Sequence, residues 1–364
     1  MLNVIFTLDY EIHGNGEGCP HELMVEPTER LLRLFDEYGA KLTIMADIAE
    51  ILKFKEFANQ NGSDDYHYGD IVAQLRGAVR GAHDVQLHIH ASYFNARHDG
   101  QRWVQDWSEY NFAGLSFERL DEIVRIGKTE LESFLQPVNP DYRCFVFRAA
   151  NWSVNPGRNV IKALLNNGIK VDTSIFKYGR RKGIVSFDYS AAESELVPWR
   201  VREDDLCSRD DRGRLWEFPI YCENRWIGAF LSPNRLYRVA QSCRHRISEN
   251  PSGSAANGFP NSAKKTGLLD KLSMAAKKHA WKADFNQCTG RQLIGALRRA
   301  EQRYSNSSDN LPFVLTGHSK LFNRVNENSL RPFLEYVASH NHRFEFGTFG
   351  AFENQVGGSQ SVVV

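Results

Sequence analysis

The stretch LNVIFTLDYE, Leu2–Glu11, decides how the chain is read. Leu2–Leu8 is an apolar run of strand length that passes directly into Asp9-Tyr10-Glu11. Side chains two apart leave a strand on the same face, so Asp9 and Glu11 point one way and Tyr10 the other. A helix is predicted from about Thr28 to Tyr38, with Leu31, Leu34, Phe35 and Tyr38 on one face and Gly39 as its stop. Lys41–Met45 reads as the next strand, and Asp47 as the N-cap of a helix carrying Ile48 and Leu52. The alternation continues with a helix bearing Ile71, Leu75 and Val79, then the strand Asp84–His90. A long helix marked by Phe117, Leu120, Val124, Leu131 and Leu135 precedes the strand Cys144–Arg148. Asn155-Pro156 opens a helix through Leu164, and Lys170–Ile175 is strand again. Leu215–Tyr221, a helix over Gln292–Arg303, the strand Pro312–Thr316, a helix around Leu330–Val337 and a last strand at Phe344 and Phe346 complete the pattern.

Repeated βα units imply a parallel sheet, and seven or eight of them suggest a barrel. Three stretches break the rhythm: an aromatic-rich loop from His98 to Glu118, a polar excursion over 177–211, and a Ser-, Asn-, Gly- and Pro-rich insertion near 249–265, read as mobile. The expected organisation is one barrel over 1–350, with a flexible tail at 357–364.

The composition narrows the function classes. The chain of 364 residues has 45 basic and 44 acidic side chains, a formal net charge of +1. That balance argues against nucleic acid or a membrane surface as partner. No stretch approaches the roughly 18 apolar residues of a membrane span. The six cysteines (Cys19, Cys144, Cys207, Cys222, Cys243, Cys288) are far apart and form no CxxC pair, which reads as reduced thiols. The first strand starts almost at residue 1 with no signal-like segment before it, so a cytoplasmic location is expected. The sequence leaves the oligomeric state open.

Strand C-termini face the active site of a βα barrel. Here those ends carry Asp9 and Glu11, then His88-Ile89-His90, then Arg148, and finally His318-Ser319-Lys320. His88 and His90 share a strand face, so with one carboxylate they form the three-ligand set of an open divalent-metal site, zinc being the expected ion. The spare carboxylate can act as general base and a histidine such as His318 can protonate a leaving group. Other features read as structural. Gly14, Gly16 and Gly18 have the wrong spacing for a dinucleotide turn. His83 falls at the far end of its strand, His13 lies in a loop, and Lys320 is taken as a surface lysine. Trp103, Trp107, Trp152 and Tyr110 could flank a sugar ring or simply pack their loop.

The segments FTLDYE, HDVQLHIH, FRAANWS and LTGHSK, in that order, resemble the polysaccharide deacetylase family (NodB homology, carbohydrate esterase type). The resemblance covers 1 to about 176 and about 214 to 350, and it implies a distorted (β/α)7-like barrel with loop insertions. By that resemblance Asp9 is the catalytic base, Glu11 and His88 are metal ligands, Arg148 steadies the base and His318 is the general acid. The family's second metal histidine falls on Ser92, and His90 is expected to take its place. The implied activity is metal-dependent removal of an acetyl group from an N-acetylated sugar, with a carbohydrate as partner. Without an export signal the expected substrate is a sugar nucleotide or a lipid-linked intermediate of surface-polysaccharide assembly. The alternatives are hydrolysis of another amide or ester, or a non-catalytic barrel that binds glycan or protein.

Overall fold

The computed structural model describes residues 1–238, 277–307 and 309–357. The stretch near 249–265 and nearly all of the predicted tail lie outside the described residues.

The first strand, β1 (Leu2–Tyr10), is buried along its whole length. It is the central staff of the sheet, paired in parallel with three other strands. Helix α1 (Glu26–Tyr38) follows and ends at Gly39, whose φ of 67° is the left-handed turn glycine accepts without a Cβ penalty. Next come β2 (Leu42–Asp47), α2 (Ile48–Asn61), α3 (Tyr68–Arg80) and β3 (Asp84–Ile89). Helix α4 (Phe117–Leu135), β4 (Val146–Ala149), α5 (Arg158–Asn166) and the two-residue β5 (Val171–Asp172) continue the alternation. The excursion over 177–211 is not a plain polar loop: β6 (Trp199–Arg202) and β7 (Asp205–Arg209) extend the sheet antiparallel at one edge. The apolar side chains sparse in its sequence (Val185, Tyr189, Leu196, Trp199 and Val201) are the ones it buries.

β8 (Trp216–Glu217) returns the chain to the parallel set beside β5. β9 (Cys222–Arg225) pairs antiparallel with β10 (His279–Lys282). Helix α6 (Gly290–Arg303), β11 (Leu311–His318), α7 (Arg324–Ser339) and β12 (Phe344–Phe346) close the fold. The parallel strands run β8-β5-β4-β3-β2-β1-β11, and a single parallel bridge from Ile220 to Val314 joins the two ends. The result is the expected distorted (β/α)7-like barrel, with one wall reduced to a bridge and a few hydrogen bonds, Tyr221 N to Val314 O among them.

Register positions the chemistry. Asp9 pairs with His318, Asp47 with His88, and His88 with Arg148. Five adjacent strands of one sheet therefore end in a single polar row at their carboxyl edge.

The opposite edge carries its own half-buried acid, Asp84, at the start of β3. It accepts from Gln86 Nε2 at 2.9 Å, yet burial pushes its carboxyl up to about 6. The folded state thus prefers the neutral acid, and stability falls as pH rises from about 4 towards 6. Asp84→Asn is expected to stabilise the protein by about 1–2 kcal/mol at pH 8 and to be neutral near pH 4. Thermal melts of both proteins at the two pH values check this, and equal gains at both would refute it.

Candidate active site at the carboxyl edge

Asp9 and Glu11 leave β1 and its extension on one face, as i, i+2 spacing demands. Arg148, fully buried on β4, donates from Nη1 to Asp9 Oδ1 at 2.7 Å and from Nε to the Thr173 carbonyl at 2.9 Å. Burial opposes ionisation of Asp9, but the charges of Arg148, His318 and His88 outweigh it and hold the carboxyl below its ordinary range. His318 sits at the end of β11 with Nε2 3.6 Å from Asp9 Oδ2 and 3.9 Å from Glu11 Oε1. Its backbone N donates to Asn286 Oδ1 at 2.6 Å, which fixes the strand end. Burial lowers the basicity of the His318 imidazole, against the pull of Asp9 and Glu11.

Gly317 makes the approach of His318 possible. A Cβ there would lie 2.2–2.7 Å from three ring carbons of Phe285, a buried ring packed against Phe6 and Phe322. Gly317→Ala is expected to cost about 1–3 kcal/mol and to reduce turnover by displacing His318. A thermal melt with an assay on the same preparation checks both; a wild-type melting temperature would contradict the packing argument.

The structure brings His88 and His90 together at Glu11. His88 Nε2 lies 3.2 Å and His90 Nδ1 3.3 Å from Glu11 Oε2. Asp47, read from the sequence only as an N-cap, does cap α2 by accepting from Ala49 N at 3.2 Å. Its other oxygen is 2.5 Å from His90 Nδ1, so it joins the cluster. The signal was available: Asp47 ends β2 just as His88 follows from β3, and the strand-end rule applies to it equally. Donor atoms of Glu11, Asp47, His88 and His90 all lie within 4.8 Å of one another. Ser92 takes no part in this cluster, its hydroxyl donating to Gln105 Oε1 at 2.7 Å.

Two observations fit a divalent cation here. His88 Nδ1 is 2.9 Å from the Arg148 carbonyl, which can only accept, so Nδ1 carries the proton. Nε2 then faces the Glu11 carboxylate with either a proton, which Glu11 and Asp9 favour against burial, or a lone pair free to bind a cation held between the two groups. The charge balance agrees. Asp9, Glu11, Asp47 and Glu50 are four buried carboxyls, and Arg148 and Lys320 are the permanent cations touching them. Glu50 reflects the excess: burial, then Asp47 and Glu11, push its carboxyl well above the usual range.

Lys320 is not the surface lysine the sequence suggested. Its Nζ lies 2.7 Å from Glu11 Oε1 and donates to the Ile12 carbonyl at 2.6 Å. Burial works against both groups, yet the pair holds Glu11 well below its ordinary value and raises Lys320. Nothing in the sequence distinguished it, because the turn Ser319–Leu321 that aims it inward has no periodicity to read.

The aromatic candidates separate. Trp103 is core, packed in tilted and edge-to-face contacts with Phe54, Phe57, Tyr66 and His98. Trp107 and Tyr110 pack on each other with ring centres 4.9 Å apart. Of these, Trp152 alone reaches the polar row, its ring perpendicular to His318 with centres 5.9 Å apart. Lys282 lies over the Trp152 ring at 3.3 Å, and burial brings its ammonium down to about 8. His83 is structural, as expected: its Nδ1 accepts from Leu42 N at 3.1 Å. The glycine turn also packs as structure, since a Cβ on Gly16 would lie 2.0 Å from the Trp103 carbonyl oxygen.

No family model matches the sequence, and no curated protein is similar to it. Among solved structures, the chain is similar to a Parabacteroides distasonis protein assigned as a glycoside hydrolase/deacetylase, with 12% identity over 99% of this chain and 72% of that one, at a TM-score of 0.53. It is also similar to a Mycobacterium smegmatis protein assigned as a polysaccharide deacetylase, with 13% identity over 99% and 92% of the two chains, at 0.50. The α-amylase AmyC of Thermotoga maritima matches at 0.50 with 11% identity over 97% and 74%. The chain thus shares the fold of these structures. One such fold carries more than one chemistry, so activity must be argued from the site.

Proposed function

We propose that this protein is a metal-dependent hydrolase that removes the acetyl group from an N-acetylated sugar. The observation that carries the reading is the pairing of two sets in one row: a His88–His90–Glu11–Asp47 donor cluster beside an Asp9–Arg148–His318 proton-transfer set. Glu11, His88 and His90 would hold a divalent ion, zinc being the first choice, with Asp47 as further ligand or as the group orienting His90. When bound, such an ion supplies Lewis-acid polarisation of the acetyl carbonyl and a more acidic water.

The chain's own groups account for the protons. Asp9, kept ionised by Arg148, takes a proton from the water whose oxygen adds to the acetyl carbon. The C–N bond then breaks, and the amine nitrogen takes a proton from His318. The 3.6 Å from Asp9 Oδ2 to His318 Nε2 gives a short path from the base to the acid. His318 Nδ1 and Trp152 Nε1 are buried without hydrogen-bond partners among the described residues, as suits a site completed by a hydroxyl-bearing ligand. The substrate form we propose is a sugar nucleotide or lipid-linked intermediate of surface-polysaccharide assembly in the cytoplasm; Lys282, beside Trp152, is a cation suited to a phosphorylated sugar. Among the described residues no helix is long and apolar enough to cross a membrane.

The test is acetate release from N-acetylated sugar nucleotides, lipid-linked sugars and polymers, with metal content measured on the same protein. Release from polymers alone would reject the substrate form, and no release with any acyl sugar would reject the activity. One feature favours a second reading, a non-catalytic glycan-binding barrel: Lys320 neutralises Glu11 without a metal. No bound ion after incubation with zinc, cobalt, manganese and nickel would select it.

A further inference from the structure

A second group of ligating side chains lies away from the catalytic row. His21, in the short helical turn His21–Val25, and His67, at the start of α3, both face Asp70 in the first turn of that helix. The same carboxylate oxygen, Asp70 Oδ2, is 3.3 Å from His21 Nδ1 and 3.1 Å from His67 Nδ1. The two imidazoles are 5.0 Å apart between ring centres, and the three donor atoms lie within 4.8 Å of one another.

We propose that His21, His67 and Asp70 form a second metal site that takes a borderline divalent transition metal such as zinc and pins the segment after β1 to α3. Zinc bonds to nitrogen and oxygen of about 2.0–2.1 Å put the ligand atoms of a tetrahedral site roughly 3.3 Å apart, close to the 3.3 and 3.1 Å on the two sides of Asp70 Oδ2, the shorter of which is also a hydrogen-bond distance. Capping of α3 does not account for these groups. Asp64 already accepts from Tyr68 N at 2.6 Å and Gly69 N at 2.8 Å, while His67 makes no side-chain cap. His67 is moreover held in the left-handed region at φ 53°, an uncommon conformation for a residue with a Cβ. All three side chains are partly exposed, which leaves room for water as a fourth ligand. Two imidazoles and one carboxylate favour zinc, nickel or copper over magnesium or calcium, which prefer all-oxygen sites.

The place of the site gives it a structural task. The turn bearing His21 ends at Val25, whose carbonyl accepts from Gln74 Nε2 at 2.8 Å, and Gln74 Oε1 accepts from the Tyr10 hydroxyl at 2.9 Å. A metal on His21 and α3 would therefore clamp the far end of the loop that starts at Glu11, next to an existing tie from the same helix to β1.

The experiment is an equilibrium zinc titration of the full, demetallated chain at pH 7.5 against a chromophoric chelator, with a parallel thermal melt. Wild type is expected to bind two zinc ions, His88→Ala one, and His88→Ala/His67→Ala none. Zinc is expected to raise the melting temperature of His88→Ala but not of the double variant. Asp70→Asn should weaken the remaining site at least tenfold. A stoichiometry unaffected by His67→Ala, or no zinc on His88→Ala, overturns the proposal. If His88→Ala does not fold, the comparison is wild type against His67→Ala, which must differ by one ion. A single wild-type ion that survives His88→Ala and is lost in His67→Ala would uphold this site and reject the Glu11 cluster as a metal centre.

Discussion

Asp9→Asn is expected to lower acetyl release by roughly 10²–10⁴-fold, the usual span for loss of a general base, while bound metal stays at the wild-type level. The amide oxygen of asparagine can still accept from Arg148 Nη1, now 2.7 Å from the Asp9 carboxylate, but it cannot take a proton. The change also leaves a fully buried guanidinium without its counter-charge. Removing one partner of a buried pair costs about 3–5 kcal/mol in full, and the retained hydrogen bond should keep Asp9→Asn below that range. Asp9→Leu, which offers no acceptor, should reach it. Turnover, metal content and melting temperature measured on one preparation separate the effects. Activity within tenfold of wild type would remove Asp9 from the base role; loss of metal with activity would make it a ligand instead.

His88→Ala is expected to abolish metal binding at the row and, with it, all hydrolysis. Its Nδ1 is committed to the Arg148 carbonyl, so Nε2 is fixed towards Glu11 and no other histidine among the described residues can replace it from that side. His90→Ala tests the second histidine of the proposed ligand set and should have the same effect. Asp47→Asn should act more weakly, by about 10–100-fold in metal affinity, if Asp47 orients His90 and does not ligate. Chelator competition with zinc measures all three. Full occupancy after His88→Ala would exclude the cluster as a zinc centre; equal losses for Asp47→Asn and His90→Ala would promote Asp47 to ligand.

The local pattern of LNVIFTLDYE and the strands after it determined most of this protein from sequence alone. Apolar runs of strand length, helical periodicity and Gly39 at a helix stop are local properties, so the order of elements and the barrel class could be read directly. Two-residue spacing likewise fixed that Asp9 with Glu11, and His88 with His90, share a face. Position at a strand end then made Arg148 and His318 candidates. Tertiary structure decided what depends on residues distant in the chain. Asp47 enters the cluster because β2 lies between β1 and β3, and Lys320 reaches Glu11 across 309 positions of sequence. The 177–211 segment became sheet because neighbouring strands offered it an edge, a partner its own composition did not announce. Periodicity records which face of an element is buried, whereas charge balance at a site is set by which elements meet there.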